Sequence, residues 1–424
     1  MDQGNTAFIL IAAALVLLMT PGLAFFYGGL VKAKSVISMM MMSFGAMGLM
    51  GVLWVLYGYA IAFPTTAEGT TQIPWAIDFT NLSLAGALET PEGAAYPPLA
   101  FVAFQATFAI ITVALVSGAI ADRAKFGAWM IFAAIWATVV YFPVASWVFN
   151  FGLADDDSFA YGGWITHGLQ DVFGVGAIDF AGGTAVHINA GAAALALALV
   201  LGKRVGFQKG AHVPHNPPFV LLGAGLLWFG WFGFNAGSEL AADGTAALAF
   251  VNTIAAPAAA LLAWLIVEKI KDGKPTSVGA ASGAVAGLVA ITPACASLTP
   301  FWAIILGLVA GAVCALAIEL KFKLGFDDSL DVVGIHLVGG LIGTLYLGFF
   351  ADTTGLIYSG SINQLLVQLI AAVAVLAYSF VLAFVIGFAI EKTIGFRVKN
   401  EDEIAGIDTV VHGEEGYVLS DTRG

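Results

Sequence analysis

The sequence predicts an all-α polytopic membrane protein with eleven transmembrane helices, and three observations predict it. The 424 residues are 60% hydrophobic and only 10% charged, whereas a soluble globular protein carries about 25% charge. Mean hydropathy is +0.92, and the apolar residues gather into eleven runs, each able to cross the ~30 Å hydrocarbon layer of a bilayer. All 16 Lys and Arg fall in alternate connections between those runs. A soluble enzyme does not fit this composition.

In order, the runs cover 8–30, 36–62, 99–120, 127–150, 180–201, 218–239, 245–268, 277–295, 300–320, 331–350 and 362–390. Lys32 and Lys34 follow the first, Arg123 and Lys125 the third, and Lys203, Arg204 and Lys209 the fifth. Lys269, Lys271 and Lys274 follow the seventh, Lys321 and Lys323 close the ninth, and Lys392, Arg397, Lys399 and Arg423 follow the last. The other connections hold acids instead, among them Glu68, Asp78, Glu89, Glu92 and the run Asp155, Asp156, Asp157. Basic loops stay in the cytoplasm, so the N-terminus is expected outside and the C-terminus inside. A miscounted span would scatter the basic residues, so their alternation also supports the count.

The remaining composition narrows the class. The 51 glycines, many inside apolar runs, allow helices to cross closely, as in a channel or transporter bundle. The net charge of −12 lies largely in outer loops and the tail; it mildly concentrates cations outside or simply keeps the loops soluble. No basic stretch and small-residue cleavage site mark a removable signal peptide. The two cysteines, Cys295 and Cys314, suggest neither a disulfide framework nor a metal cluster. There is no phosphate loop, Walker lysine, zinc-spaced Cys/His set or Ser-His-Asp pattern. ATP-driven transport and enzymatic activity are therefore not expected, and neither is a cofactor. Single-sign loop charge reports topology here, so no nucleic-acid partner is expected.

Runs one to five and six to ten read as two halves. Five is odd, so the second half enters the membrane in the opposite sense, as in an inverted repeat with the substrate path at its interface. The eleventh run lies outside the repeat. His187 lies in the last run of the first half and His336 in the last run of the second. Asp179 opens one of these runs and Asp331 the other. Each histidine follows its aspartate by about 7–12 Å of helix, so both reach the middle of the bilayer from opposite faces. After residue 395 the chain turns polar and acidic. This gives a transmembrane domain over 1–395 and a cytoplasmic tail over 396–424, either a solvated end or a regulatory segment.

An ionisable side chain at bilayer depth costs several kcal/mol and marks a functional site by default. The bland alternative is a histidine hydrogen-bonded to a neighbouring helix. Two at similar depth, in similar Asp-headed and Gly-rich segments, favour function. Asp179 reads as a helix cap or as a buried anion that attracts a cation or accepts a proton; Asp331 reads as a cap. Phe104 and Phe108 share a face of run three, as Phe234 and Ser238 do in run six. Phe104 and Ser238 fall near the outer mouth, with Phe108 and Phe234 one turn deeper. Aromatic faces attract cations, a hydroxyl accepts a hydrogen bond from one that carries N–H groups, and paired phenyl rings below would constrict the path. Ordinary packing is the competing reading.

These residues resemble the ammonium transporter family (Amt/Mep/Rh), bacterial and archaeal Amt type, from end to end. The resemblance is carried by Asp179-Phe-Ala-Gly-Gly-Thr-Ala-Val-His-Ile-Asn-Ala-Gly, Trp231-Phe-Gly-Phe-Asn-Ala-Gly-Ser238 and Phe25-Phe-Tyr-Gly-Gly-Leu. It extends to Gly287-Leu-Val-Ala-Ile-Thr-Pro-Ala-Cys, Asp327-Asp-Ser-Leu-Asp-Val-Val-Gly-Ile-His336, and the tail Gly406-Ile-Asp with His412-Gly-Glu. It implies a homotrimer in the cell membrane, lipid-embedded, with one pore per subunit. It implies recruitment of ammonium outside at Phe104, Phe149, Trp231 and Ser238, a gate of Phe108 and Phe234, and a pore lined by His187 and His336. Phe149 stands in Ser146-Trp-Val-Phe149 where the family often has tryptophan, a better cation–π partner. The tail match implies a docked PII-type signal protein.

A bare cation in an apolar pore is costly, and neutral ammonia is much less so. The expected path is therefore deprotonation near the gate and passage of ammonia along neutral imidazoles, with or without a separately relayed proton. Two other classes remain open on sequence: an ammonium sensor signalling through its tail, and an intramembrane redox protein with the histidines as haem ligands.

Overall fold

In a computed structural model the described residues are 1–64, 77–150, 163–208 and 213–417. Glu68, the run Asp155 to Asp157, Lys209, His212, Arg423 and the tail beyond 417 lie outside them. The described residues are helical, and ten helices are long and apolar enough to cross a membrane. In chain order these and one shorter helix are α1 (Gln3–Leu30), α2 (Val36–Ala62), α3 (Pro98–Ile120), α4 (Phe126–Phe149), α5 (Gly183–Leu201), α6 (Pro217–Glu239), α7 (Gly244–Lys271), α8 (Ser277–Ile291), α9 (Pro300–Leu324), α10 (Val333–Phe350) and α11 (Asn363–Thr393).

The shorter helix is α8, with 15 residues, where the apolar run 277–295 predicts a longer one. Pro293 has no N–H to donate to Val289 and its ring would crowd that carbonyl. The Thr292 N–H bonds Val289 O instead, and the chain leaves the helix in turns.

Close crossings hold the bundle together. α1 packs along the length of α6, and α7 packs against both α8 and α9. At Gly223 in α6 the space for a side chain is filled by the backbone of Phe26 in α1, and at Gly191 in α5 by the backbone of Leu337 in α10. Any larger residue would push these helices apart. α11 runs against α5 and ties down both histidine-bearing helices. Gln368 donates to Ile178 O and Thr344 O and accepts from the Ile178 N–H, while Ser379 donates to Asn189 O.

The basic connections converge on one end. Arg204 pairs with Asp122 at 3.1 Å and Asp327 at 2.9 Å, all buried. Arg123 donates to Asp327 O and Ser329 Oγ in the same cluster. Burial pushes the Asp327 carboxyl up, but bonds from Arg204 and the charges of Arg204 and Arg123 outweigh it and hold it below the usual range. Burial lowers Arg123 to about 10, with Asp327 partly opposing.

The described tail docks on this end. The Lys125 N–H bonds Phe396 O, and the Val398 N–H bonds Arg123 O. Glu403 accepts from the Val205 N–H and from Arg397. Asp408 accepts from the Ile37 and Ser38 amides at the start of α2, and the Tyr417 hydroxyl meets His215 Nε2 at 2.9 Å. The solvated-end reading of the tail is thus replaced, up to residue 417, by a strap bonded to several connections.

Candidate functional site

His187 and His336 both sit in a wide turn with i→i+5 hydrogen bonding, Gly183–Ile188 at the start of α5 and Val333–Leu337 at the start of α10. Such π-type turns are frequent at functional sites. An aspartate caps each one. Asp179 accepts from the amides of Gly182, Gly183, Thr184 and Ala185 and from the Thr184 hydroxyl. These five donors occupy its oxygens, so its visible work is that of a cap.

The second cap corrects the sequence reading. It is Asp328, not Asp331, that accepts from the Val332 and Val333 amides, at 3.1 and 2.7 Å. Asp331 has φ 63° and turns its carboxylate to Lys321 Nζ at 2.6 Å. With Asp328 as the reference, each histidine stands eight residues beyond its cap. The equal interval is readable from the sequence, but the aspartate nearest the apolar run masks it.

The two imidazoles stack, with centroids 5.3 Å apart and planes at 24°, and their Nδ1 atoms meet at 3.2 Å. In this contact one Nδ1 donates and the other accepts. His187 Nε2 is buried without a hydrogen-bond partner. Both rings line a cavity of about 10 Å³, room for roughly one water-sized molecule. Its walls come from α1 (Met19, Phe26), α3 (Ile111), α5, α6 (Trp231), α8 (Val285) and α10.

Aromatic rings close the cavity on one side. Phe108 and Phe234 stack at 4.3 Å and 30°, and His187 lies 6.1 Å from Phe234. Phe104 meets Phe108 edge-on at 4.9 Å, and Phe149 meets it at 6.0 Å. The Phe104 ring also packs on Gly237, next to Ser238. Ser238 is half-buried and donates its hydroxyl proton to Phe234 O at 2.8 Å, which leaves its lone pairs to accept. Phe104, Phe149 and Ser238 therefore gather on one side of the stacked pair and the histidines on the other.

Trp231, expected with the outer group, lines the cavity together with the two histidines. Its indole stacks on His187 at 5.6 Å and 20°. It precedes Ser238 by seven residues, about 10 Å of helix. Sequence reasoning also missed Thr292, whose Oγ1 accepts the Trp231 indole N–H at 2.9 Å; the Ile-Thr-Pro string was the available signal.

Residues 7–417 match the profile of the Ammonium Transporter Family. The chain belongs to the ammonium transporter family. A Mycobacterium tuberculosis relative named ammonium transporter is 53% identical over 98% of this chain and 90% of its own. A solved structure described as a sensor Amt protein superposes with TM-score 0.85 at 28% identity, covering 96% of this chain and 98% of that one. Candida albicans Mep2 superposes with TM-score 0.82 at 32% identity, covering 95% and 88%. Ammonium transporters are membrane transporters rather than enzymes, and this chain is accordingly a multi-pass helical membrane protein of that family.

Proposed function

We propose that the chain selectively moves ammonium or ammonia across the cell membrane, N-terminus outside and C-terminus in the cytoplasm, as a homotrimer in lipid. In this reading α8 also crosses the membrane, which brings the spans to eleven, and spans one to five and six to ten form an inverted repeat. The six helices around the cavity support the repeat, because α6, α8 and α10 are the counterparts of α1, α3 and α5. Residues 1–395 are the transport domain and 396–424 the cytoplasmic tail.

Ammonium is recruited at Phe104, Phe149 and Ser238, where ring faces and a hydroxyl acceptor lie together. Phe108 and Phe234 gate the path. Deprotonation there, with the proton returned to the outer solution or passed to the histidine pair, leaves neutral ammonia to pass His187 and His336. One observation carries the reading: the 3.2 Å Nδ1 pair lies beneath the stacked rings in an otherwise apolar cavity. A pair of neutral imidazoles presents a donor and an acceptor without adding charge. The same contact gives a proton a route from ring to ring, parallel to ammonia. Asp179 holds the turn that carries His187. The cavity is far too small for a macrocycle, which disfavours haem.

The second reading is an ammonium sensor whose output is a PII-type protein on the cytoplasmic face. The bonded tail and the likeness to a sensor Amt protein favour it. Purified protein in liposomes, given an ammonium jump and a potassium jump as control, separates the readings. An ammonium-only current means that charge crosses selectively. Internal alkalinisation without current means passive ammonia flux. Neither signal from folded protein would overturn transport in favour of the sensor.

A further inference from the structure

The string Gly287–Cys295 ends α8, and its Thr292 and Pro293 have no role in the path described above. Thr292 Oγ1 accepts the Trp231 indole N–H at 2.9 Å and donates its own proton to Leu288 O at 2.8 Å. With that proton committed, the lone pairs face the indole, whose N–H is its only donor. The indole in turn lies against two rings of the path, His187 at 5.6 Å and Phe234 at 5.5 Å. Pro293 reaches the same histidine by another route. Its ring occupies the space beside Gly183, 2.6 Å from where a Cβ would stand, and its carbonyl accepts the Phe180 N–H at 3.2 Å. Two consecutive residues just past the end of α8 thus brace the ring that faces His187 and the turn that carries it.

We propose that Thr292 is a positioning residue for conduction: its hydroxyl fixes the Trp231 indole, and the indole holds the His187 ring against His336. Trp231, His187 and His336 line the cavity and Thr292 does not, so Thr292 acts through the indole rather than on the permeant. The assignment rests on the pore reading given above. A merely structural hydroxyl, satisfying a buried indole N–H, is the competing account.

The test measures maximal rate and half-saturating ammonium in liposomes for the wild type, Thr292→Val, Thr292→Ser, Trp231→Phe, and the double variant Trp231→Phe, Thr292→Val. Valine keeps the shape and removes the acceptor. Thr292→Val is expected to cut the maximal rate about fivefold or more while the half-saturating concentration stays within about twofold, since the outer group is untouched. Thr292→Ser recovers the rate. In the Trp231→Phe background Thr292→Val adds no further loss, because a phenyl ring has no N–H to hold.

A wild-type rate in Thr292→Val, losses that multiply in the double variant, or a loss confined to half-saturation would overturn the assignment. If Thr292→Val does not fold, Trp231→Phe breaks the same bond from the other side, and its retention of the full rate would overturn it equally. Wild-type protein without ammonium flux would instead remove the transport reading and this assignment with it.

Discussion

His187 and His336 are joined at Nδ1, so neither ring can be altered without changing what the other faces. Exchange of both for alanine removes the polar pair and widens the cavity. Ammonium-over-potassium discrimination in liposome flux should fall sharply in this double variant; unchanged discrimination would sink the pore role. At the outer group, Phe149→Trp enlarges the π-face beside Phe108. A gain of about 0.7 kcal/mol in cation–π attraction corresponds to a half-saturating ammonium concentration lowered about threefold, measurable from flux against concentration. The histidines, the phenylalanine pair and Ser238 were legible as residues, because bilayer depth and helical spacing single them out. The contact of Trp231 with His187 was not foreseen, although its seven-residue distance from Ser238 already put it two turns deeper. Asp331 was preferred over Asp328 because a cap is sought next to the apolar run, and a backbone bend at φ 63° is invisible in a sequence.

Helices α5 and α10 begin alike: an aspartate, a short unwound stretch, a wide turn and a histidine. Each cap satisfies amides buried in the protein. Asp328→Ala leaves the Val332 and Val333 amides unpaired, and loss of a cap costs about 0.5–2 kcal/mol. Thermal unfolding in detergent should shift down accordingly, with flux reduced by displacement of His336; unchanged values for both would show that the wide turn stands without its cap. The order of the helices and ten membrane-length ones among the described residues were readable from apolar runs. The wide turns were not, because i→i+5 bonding leaves no separate period in the residue pattern. The early end of α8 was foreseeable at Pro293, but the apolar run passes through that proline without a break.

The whole bundle is fastened at its basic end by the Arg204, Asp327, Asp122 and Arg123 cluster, which draws on three connections distant in sequence. Asp327→Ala strips Arg204 of its main partner while both arginines stay buried, a loss of about 3–5 kcal/mol. A much smaller drop in unfolding free energy would mean that water reaches the cluster. Asp327 is held below the ordinary carboxylate range in the folded protein. Its contribution is therefore complete above the unfolded pKa and is lost as pH falls through the folded value. Acid unfolding should accordingly be shallower in the Asp327→Ala variant. The sequence told that these charges share one end, not that they pair, since pairing depends on loops brought together only by the packed helices.

In the proposed topology, the equal spacing from Asp179 to His187 and from Asp328 to His336 acts as a ruler read from both faces of the membrane. Each half counts the same number of residues inward from its own anchored carboxylate, and the two counts meet at one hydrogen bond. One residue inserted on either side would move its histidine relative to its anchored carboxylate and turn its ring away from its present bearing. The rings would then be out of phase, and a matching insertion in the other half would restore the count without restoring the bearing. Change in this stretch is thus confined to substitution, and the interval itself should tolerate no alteration in length.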